Sequence, residues 1–301
     1  MLTREFNMNN KGFKVSGFID EIDTNFEKQL QAAHGLGLKY ACLRDIDGKR
    51  IQKFTHDEIR SYIIPLLNQY KIGVSSIGSG VGKIILPDEN ACKQDLEELK
   101  KICEAARLLN CRYIRVFSFY SYYSKSGIGW EAERAHVVEQ LKKYIEIAEQ
   151  HDVVLLHENE KMIYGDSPER CLDLYNELGG PHFKLIFDFA NYIQSGYDPK
   201  KCYGLLKGKI EYFHIKDAVL KTGMVVPAGQ GDGHVRDIIS EEIKNSYHGF
   251  FTIEPHLSNF SGLKSFEAME VPVLFKGSAE SYQLFALAYH SFINILKEEG
   301  C

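Results

Sequence analysis

The sequence contains no uninterrupted apolar run of about 18 residues, so no membrane-spanning helix is expected. Its first residues, MLTREFNMNNKGF, carry charge and asparagine but no apolar core, so no secretory leader is expected either. There is no CxxC pair. The seven cysteines (Cys42, Cys92, Cys103, Cys111, Cys171, Cys202 and Cys301) are scattered and odd in number. That argues against a disulfide framework and a thiolate metal knot, and for reduced thiols in a cytoplasmic protein. Basic residues are not in surplus: 36 Lys and Arg stand against 41 Asp and Glu, a formal charge of −5. A chain built around nucleic acid usually carries the opposite balance, so no nucleic-acid partner is expected. Linkers, low-complexity stretches and charge blocks are also missing.

What is present is a regular alternation over 301 residues, 44% of them hydrophobic. Eight short runs are rich in β-branched and aromatic residues: Phe13–Ile19, Tyr40–Leu43, Ile72–Ile77, Tyr113–Phe119, Val153–His157, Phe183–Phe187, Ile210–Ile215 and Gly249–Ile253. None alternates cleanly, so each reads as a strand buried on both faces, as parallel strands are. Helical patterns lie between them. Thr24-x-x-Glu27 and Thr55-x-x-Glu58 have capping-box spacing. Ile59, Tyr62, Ile63, Leu66, Leu67 and Tyr70 form one apolar stripe. Ser167-Pro168 and Asp198-Pro199 each put a cap residue before a proline at the first helical position.

Eight βα units predict an α/β fold, a (β/α)8 TIM barrel. A doubly wound open sheet is the rival. It often carries a glycine-rich phosphate loop after its first strand, where this chain has Phe18-Ile19-Asp20-Glu21. We expect a single domain over residues 1–301, with the barrel at about 13–256 and a helical extension at 257–301. Residues 280–296 are apolar on most sides, which leaves room for a homodimer or homotetramer.

Buried strands should be apolar to their ends, and four consecutive ones are not. They end in His157-Glu158-Asn159-Glu160, Asp188-Phe189-Ala190-Asn191, His214-Ile215-Lys216-Asp217 and Glu254-Pro255-His256. In a barrel the C-terminal strand ends form one rim, where active sites lie. Glu158, Asp188, His214 and Glu254 would then face one small volume. Three carboxylates confined together must protonate or find a cation. A divalent ion resolves this. A donor set of several oxygens, one nitrogen and no thiolate favours Mn2+ or Mg2+, and the imidazole also admits Zn2+ or Co2+. Any one of these residues alone reads as a loop cap or a satisfied core histidine; the set of four carries the signal. Glu160 and Asp217, just past strand ends, read equally well as helix caps or surface acids.

The motifs LLHENE, LIFDFAN, YFHIKDA, VVPAGQGDG and TIEPH together resemble the sugar isomerase/epimerase superfamily with the xylose-isomerase-like barrel, nearest to its sugar phosphate isomerase/epimerase branch with the ketose 3-epimerases. The resemblance runs from roughly Phe13 to His256. It implies a metal held by Glu158, Asp188, His214 and Glu254, the same four residues. It also implies that Glu158 and Glu254 move the proton, one on each face of the substrate. Pro227-Ala228-Gly229-Gln230-Gly231 matches the family's glycine-rich rim loop. The chain departs from the epimerases twice: Asn191 stands where they carry a substrate-touching histidine, and Leu220 stands near their substrate-orienting arginine, for which Lys216 or Lys221 would substitute.

The resemblance implies a metal-dependent ketose epimerase or isomerase working through a cis-enediolate, with a small-molecule sugar as partner. Arg44, Asn191, Lys216, Asp217 and His256 are the expected substrate contacts. Ser75, Ser76 and the Gly78-Ser79-Gly80 turn are candidates for the floor or a small-anion site. Phe117, Phe119, Tyr120, Tyr122 and Tyr123 would form an apolar wall. A lyase or dehydratase acting on a keto-sugar or keto-glycoside through the same enolate stays open as the alternative. An apurinic endonuclease would need further histidine ligands, and Ile72–Ser79 and Tyr113–Tyr120 contain no histidine. A non-catalytic sugar-binding module would have little use for three converging carboxylates.

Overall fold

A computed structural model describes residues 12–121, 129–257 and 281–301. All eight expected strands form: β1 Lys14–Gly17, β2 Tyr40–Leu43, β3 Gly73–Ile77, β4 Tyr113–Val116, β5 Val154–Glu158, β6 Phe183–Asp188, β7 Ile210–Ile215 and β8 Phe250–Ile253. They make one all-parallel sheet in the order β1-β8-β7-β6-β5-β4-β3-β2. Just past β1, Phe18 pairs in parallel with Cys42 of β2, which brings the two edges together. The fold is therefore a (β/α)8 barrel and not an open sheet. β5 and β8 are buried along their whole length, as strands covered on both faces must be. All seven cysteines are free.

The helices form an outer layer. They are α1 Phe26–Gly35; α2, built of His56–Glu58, a π-turn at Ile59–Ile63 and Ile64–Tyr70; α3 Glu89–Leu108; α4 Arg134–His151; α5 Pro168–Leu178; α6 Phe189–Gln194; α7 Pro199–Leu206; α8 Val235–Lys244; and α9 Ser281–Glu298. Thr55 caps α2 with the full reciprocal capping box, and Ser167 and Asp198 cap α5 and α7 ahead of their prolines. The first expected box is displaced by one residue. Asn25, not Thr24, caps α1 and accepts the Lys28 N–H at 3.0 Å. Asparagine is a strong cap, and the next residue, Phe26, is fully buried, which fixes the helix start.

The last helix is part of the barrel's coat. Phe285 of α9 is fully buried against Gly17 of β1, where an added methyl would stand 2.6 Å from its ring. Phe292 packs edge-on to Phe251 of β8, with ring centroids 5.7 Å apart. α9 thus fills the place of the eighth barrel helix, so the described part of the expected extension belongs to the closing βα unit. Tyr282 and Leu287 remain exposed on its outer side. Among the described residues no helix is long and apolar enough to cross a membrane.

Inside the barrel, below the rim, lies a layer of hydroxyls. Ser75, Ser76 and Thr252 stand 3.0, 2.9 and 2.6 Å from the Tyr212 hydroxyl, and Ser16 stands 2.5 Å from Thr252. Ser75 and Ser76, candidates for an anion site, are instead engaged by Tyr212.

Candidate metal centre

Parallel strands place all their C-terminal ends on one rim, and the four polar ends meet there. Asp188 and His214 are direct register partners on β6 and β7. Glu158 closes β5, and Glu254 follows the last residue of β8. All four are at most 1% exposed, and their ligand atoms lie within 4.8 Å of one another. His214 Nδ1 is the focus, 2.8 Å from Glu158 Oε1, 3.3 Å from Glu254 Oε2 and 3.9 Å from Asp188 Oδ2.

The electrostatics show the strain of this crowding. Burial pushes the Asp188 carboxyl up to about 7, against the pull of Lys216. Burial also works against ionised Glu158, but His214 and Arg115 outweigh it and bring its pKa down to about 2. For His214, burial favours the neutral ring, yet Glu158 and Glu254 overcome it and raise the pKa to about 9. Without a cation, a proton on the imidazole therefore holds the carboxylates together. Asp188 Oδ2 is buried and accepts no aligned hydrogen bond, although Lys216 Nζ lies 3.1 Å away in an ion pair. Three carboxylates, one imidazole nitrogen and an oxygen with spare capacity fit a divalent cation.

Cationic side chains and a neutral histidine surround this core. Arg44, at the end of β2, binds Asp20 at 2.7 Å, Glu21 at 3.2 Å and Glu254 at 3.3 Å. Lys216 Nζ lies 3.2 Å from Glu254 Oε2. His256 Nε2 lies 3.4 Å from Glu254 Oε1 and 3.3 Å from Glu21 Oε1; burial holds its pKa down, to about 4. His256 adopts φ 44°, a strained backbone for a non-glycine residue, and its N–H is fixed by Glu21 Oε2 at 2.8 Å. Glu21, Glu254 and His256 also cluster within 4.8 Å, with the Arg44 guanidinium bonded to both glutamates.

Two of the expected substrate contacts are hydrogen-bonded within the protein. Asn191 faces the ligands: its Nδ2 donates to Glu158 Oε1 at 3.3 Å and to the Asn159 carbonyl at 2.9 Å, and its backbone N–H donates to Asp188 Oδ1 at 2.8 Å. Asp217 turns away from the centre. Its two oxygens accept backbone N–H groups from Ala218, Gly229, Gly231 and Gly233 at 2.8–3.0 Å, which pins the glycine-rich rim loop. That loop brings its backbone close to Asp217, and a Cβ on Gly231 would stand 2.4 Å from the Ala218 carbonyl. Glu160 pairs with Lys83 at 3.2 Å. Leu220 is 57% exposed. Phe117 and Phe119 are buried in the core, and Tyr122 and Tyr123 lie outside the described residues.

Sequence reasoning missed Arg115, the third residue of β4. Its NH1 lies 3.1 Å from Glu158 Oε2 and 3.4 Å from Glu254 Oε1. The available signal was a lone arginine inside a buried strand run, which requires a counter-charge within the barrel. Asp20 and Glu21 at the end of β1 were visible but had no evident partner until the fold brought Arg44 to them.

The chain belongs to the xylose isomerase-like TIM barrel family, which matches residues 30–271. A curated relative, 3-dehydroshikimate dehydratase from Bacillus anthracis, is 24% identical over 125 residues, 41% of this chain. That match spans 44% of the relative's own length. Among solved structures, the IOLI protein with a bound zinc atom superposes with a TM-score of 0.70 at 15% identity, over 95% of this chain and 99% of the other. D-allulose 3-epimerase from Methylomonas sp. superposes with a TM-score of 0.69 at 14% identity, over 95% of this chain and 98% of the other.

Proposed function

We propose that this protein is a divalent-metal-dependent sugar epimerase or isomerase that removes a proton next to a carbonyl. The observation that carries this reading is the buried meeting of Glu158, Asp188, His214 and Glu254 around His214 Nδ1. Mn2+ is the cation we assign, on the oxygen-rich donor set. When bound, the cation supplies Lewis-acid stabilisation of the oxyanion that develops on the substrate carbonyl. Glu158 and Glu254 take and return the proton from opposite faces. Lys216 and His256, both beside Glu254, orient the neighbouring hydroxyls by hydrogen bonds. Arg44 holds Glu254 in place. The buried rim excludes water from the reacting carbon.

A second reading is a lyase or dehydratase using the same proton removal followed by loss of a leaving group. The dehydratase relative favours it, as does Asn191 in the place of the epimerases' histidine. Incubation of the Mn2+-loaded protein with a ketose panel in D2O separates the two. Deuterium at carbon 3 with inversion marks an epimerase, and aldose formation marks an isomerase. Loss of water or an aglycone marks a lyase. Glu254→Gln is expected to abolish exchange while circular dichroism stays unchanged. Persistent exchange in that variant would remove the role given to Glu254.

A further inference from the structure

The two glutamates of the centre divide their oxygens. Glu158 turns Oε1 to His214 Nδ1 (2.8 Å) and Oε2 to Arg115 NH1 (3.1 Å). Glu254 turns Oε2 to His214 Nδ1 (3.3 Å) and Oε1 to Arg115 NH1 (3.4 Å). One guanidinium nitrogen therefore joins the far oxygens of two carboxylates that come from strands three apart. Arg115 is itself held firmly. It is 4% exposed, and its Nε donates to the Ser79 carbonyl at 3.2 Å. Its guanidinium stands 5.2 Å from the Phe18 ring and 5.0 Å from the Phe117 ring. A planar, always-charged group anchored this way cannot follow a carboxylate that rotates.

We propose that Arg115 is a positioning residue that limits Glu158 and Glu254 to one metal-facing oxygen each, Oε1 and Oε2 respectively. The inference rests on the metal reading above. A free carboxylate can offer a cation one oxygen or both. Here the second oxygen of each glutamate is already bound to a fixed charge, so the ion keeps open positions for a chelating substrate.

The test uses Co2+ as a spectroscopic probe on wild type, Arg115→Met and Arg115→Lys, with folding checked by far-UV circular dichroism. Wild type is expected to bind one Co2+ per chain. In Arg115→Met the Oε2 of Glu158 is released, while Oε1 of Glu254 keeps Arg44 and His256, so the coordination number rises through Glu158 and the visible band weakens and shifts. Removal of a competing positive charge tightens Co2+ binding by at least about tenfold. A purely structural role for Arg115 predicts the opposite, weaker binding. Arg115→Lys keeps the charge but loses the Nε anchor and the rigid fork, so its band moves in the same direction; it carries the test if the methionine variant does not fold. An unchanged band and affinity in a folded variant, or weaker binding, would overturn the proposal. Failure of wild type to bind Co2+ would instead remove the metal reading and this inference with it.

Discussion

Asp217 illustrates how the rim is built one residue at a time. A buried carboxylate is tolerated when donors surround it, and this one has four backbone N–H groups from its own neighbour and three loop glycines. Asp217→Ala would leave those donors without an acceptor, at about 1–3 kcal/mol for each one that stays buried. The expected result is a lower urea midpoint, with Asp217→Asn less affected because one oxygen remains. Equal midpoints for alanine and wild type would show that the loop does not depend on this residue. At this scale the sequence was legible where polarity broke an apolar pattern. Glu158, Asp188, His214 and Glu254 stood out because strand ends should be hydrophobic, and they do meet. Asp217 stood out for the same reason yet serves the loop, because spacing along a strand end says nothing about which way a following carboxylate turns. Arg115 was hidden because its partners lie 43 and 139 residues away.

Among the elements, the strands were the most readable and the last helix the least. The eight strand runs were each dense in β-branched and aromatic residues, and all eight formed in the expected order. The helix starts expected at Thr55, Ser167 and Asp198 formed, but not the one at α1, where two adjacent cap-forming residues, Thr24 and Asn25, compete and only burial of Phe26 decides between them. α9 read as an appendage because its apolar residues cover most of its surface and do not form one stripe. In the structure one face is buried, with Phe285 at β1 and Phe292 seven residues on at β8, while the apolar Tyr282 and Leu287 on the outer side stay exposed. Phe285→Ala should therefore behave as a core mutation, with a loss of about 3–5 kcal/mol. Leu287→Ala, on the exposed side, should change stability little in dilute solution. Calorimetry on the pair distinguishes a barrel helix from an appendage, since an appendage would leave the main transition of both variants in place.

For the molecule as a whole, buried histidines set the pH range of stability. His157 and His256 are each held down to about 4 by burial, so both are neutral in the fold. In the unfolded chain they charge near 6.5, so the unfolded state takes up more protons as the pH falls. Their contribution is complete above pH 6.5 and is lost as the pH drops toward 4. His214 works in the other direction: raised to about 9, its contribution is complete below 6.5 and is lost as the pH rises through 9. Asp188, raised to about 7, and Glu21, raised to about 8, also lose stabilisation as the pH rises, so the metal-free protein should lose unfolding temperature steadily from pH 6.5 to 9. If Mn2+ binds as proposed it takes the place of the proton on the imidazole, so saturating Mn2+ should raise the unfolding temperature most on the alkaline side. A metal-free curve that stays flat from pH 6.5 to 9 would contradict the raised imidazole.

The charges of the centre come from both arcs of the ring. Glu158, Asp188, His214 and Glu254 belong to β5–β8, while the two guanidinium groups that face them arise on β2 and β4. Each arc carries both signs of charge, with Lys216 beside Asp188 and Glu254 and with Arg44 beside Asp20 and Glu21, but only the closed cylinder brings Arg44 and Arg115 against the four residues of the centre. If the proposed cation binds there, its uptake would report that the cylinder has closed.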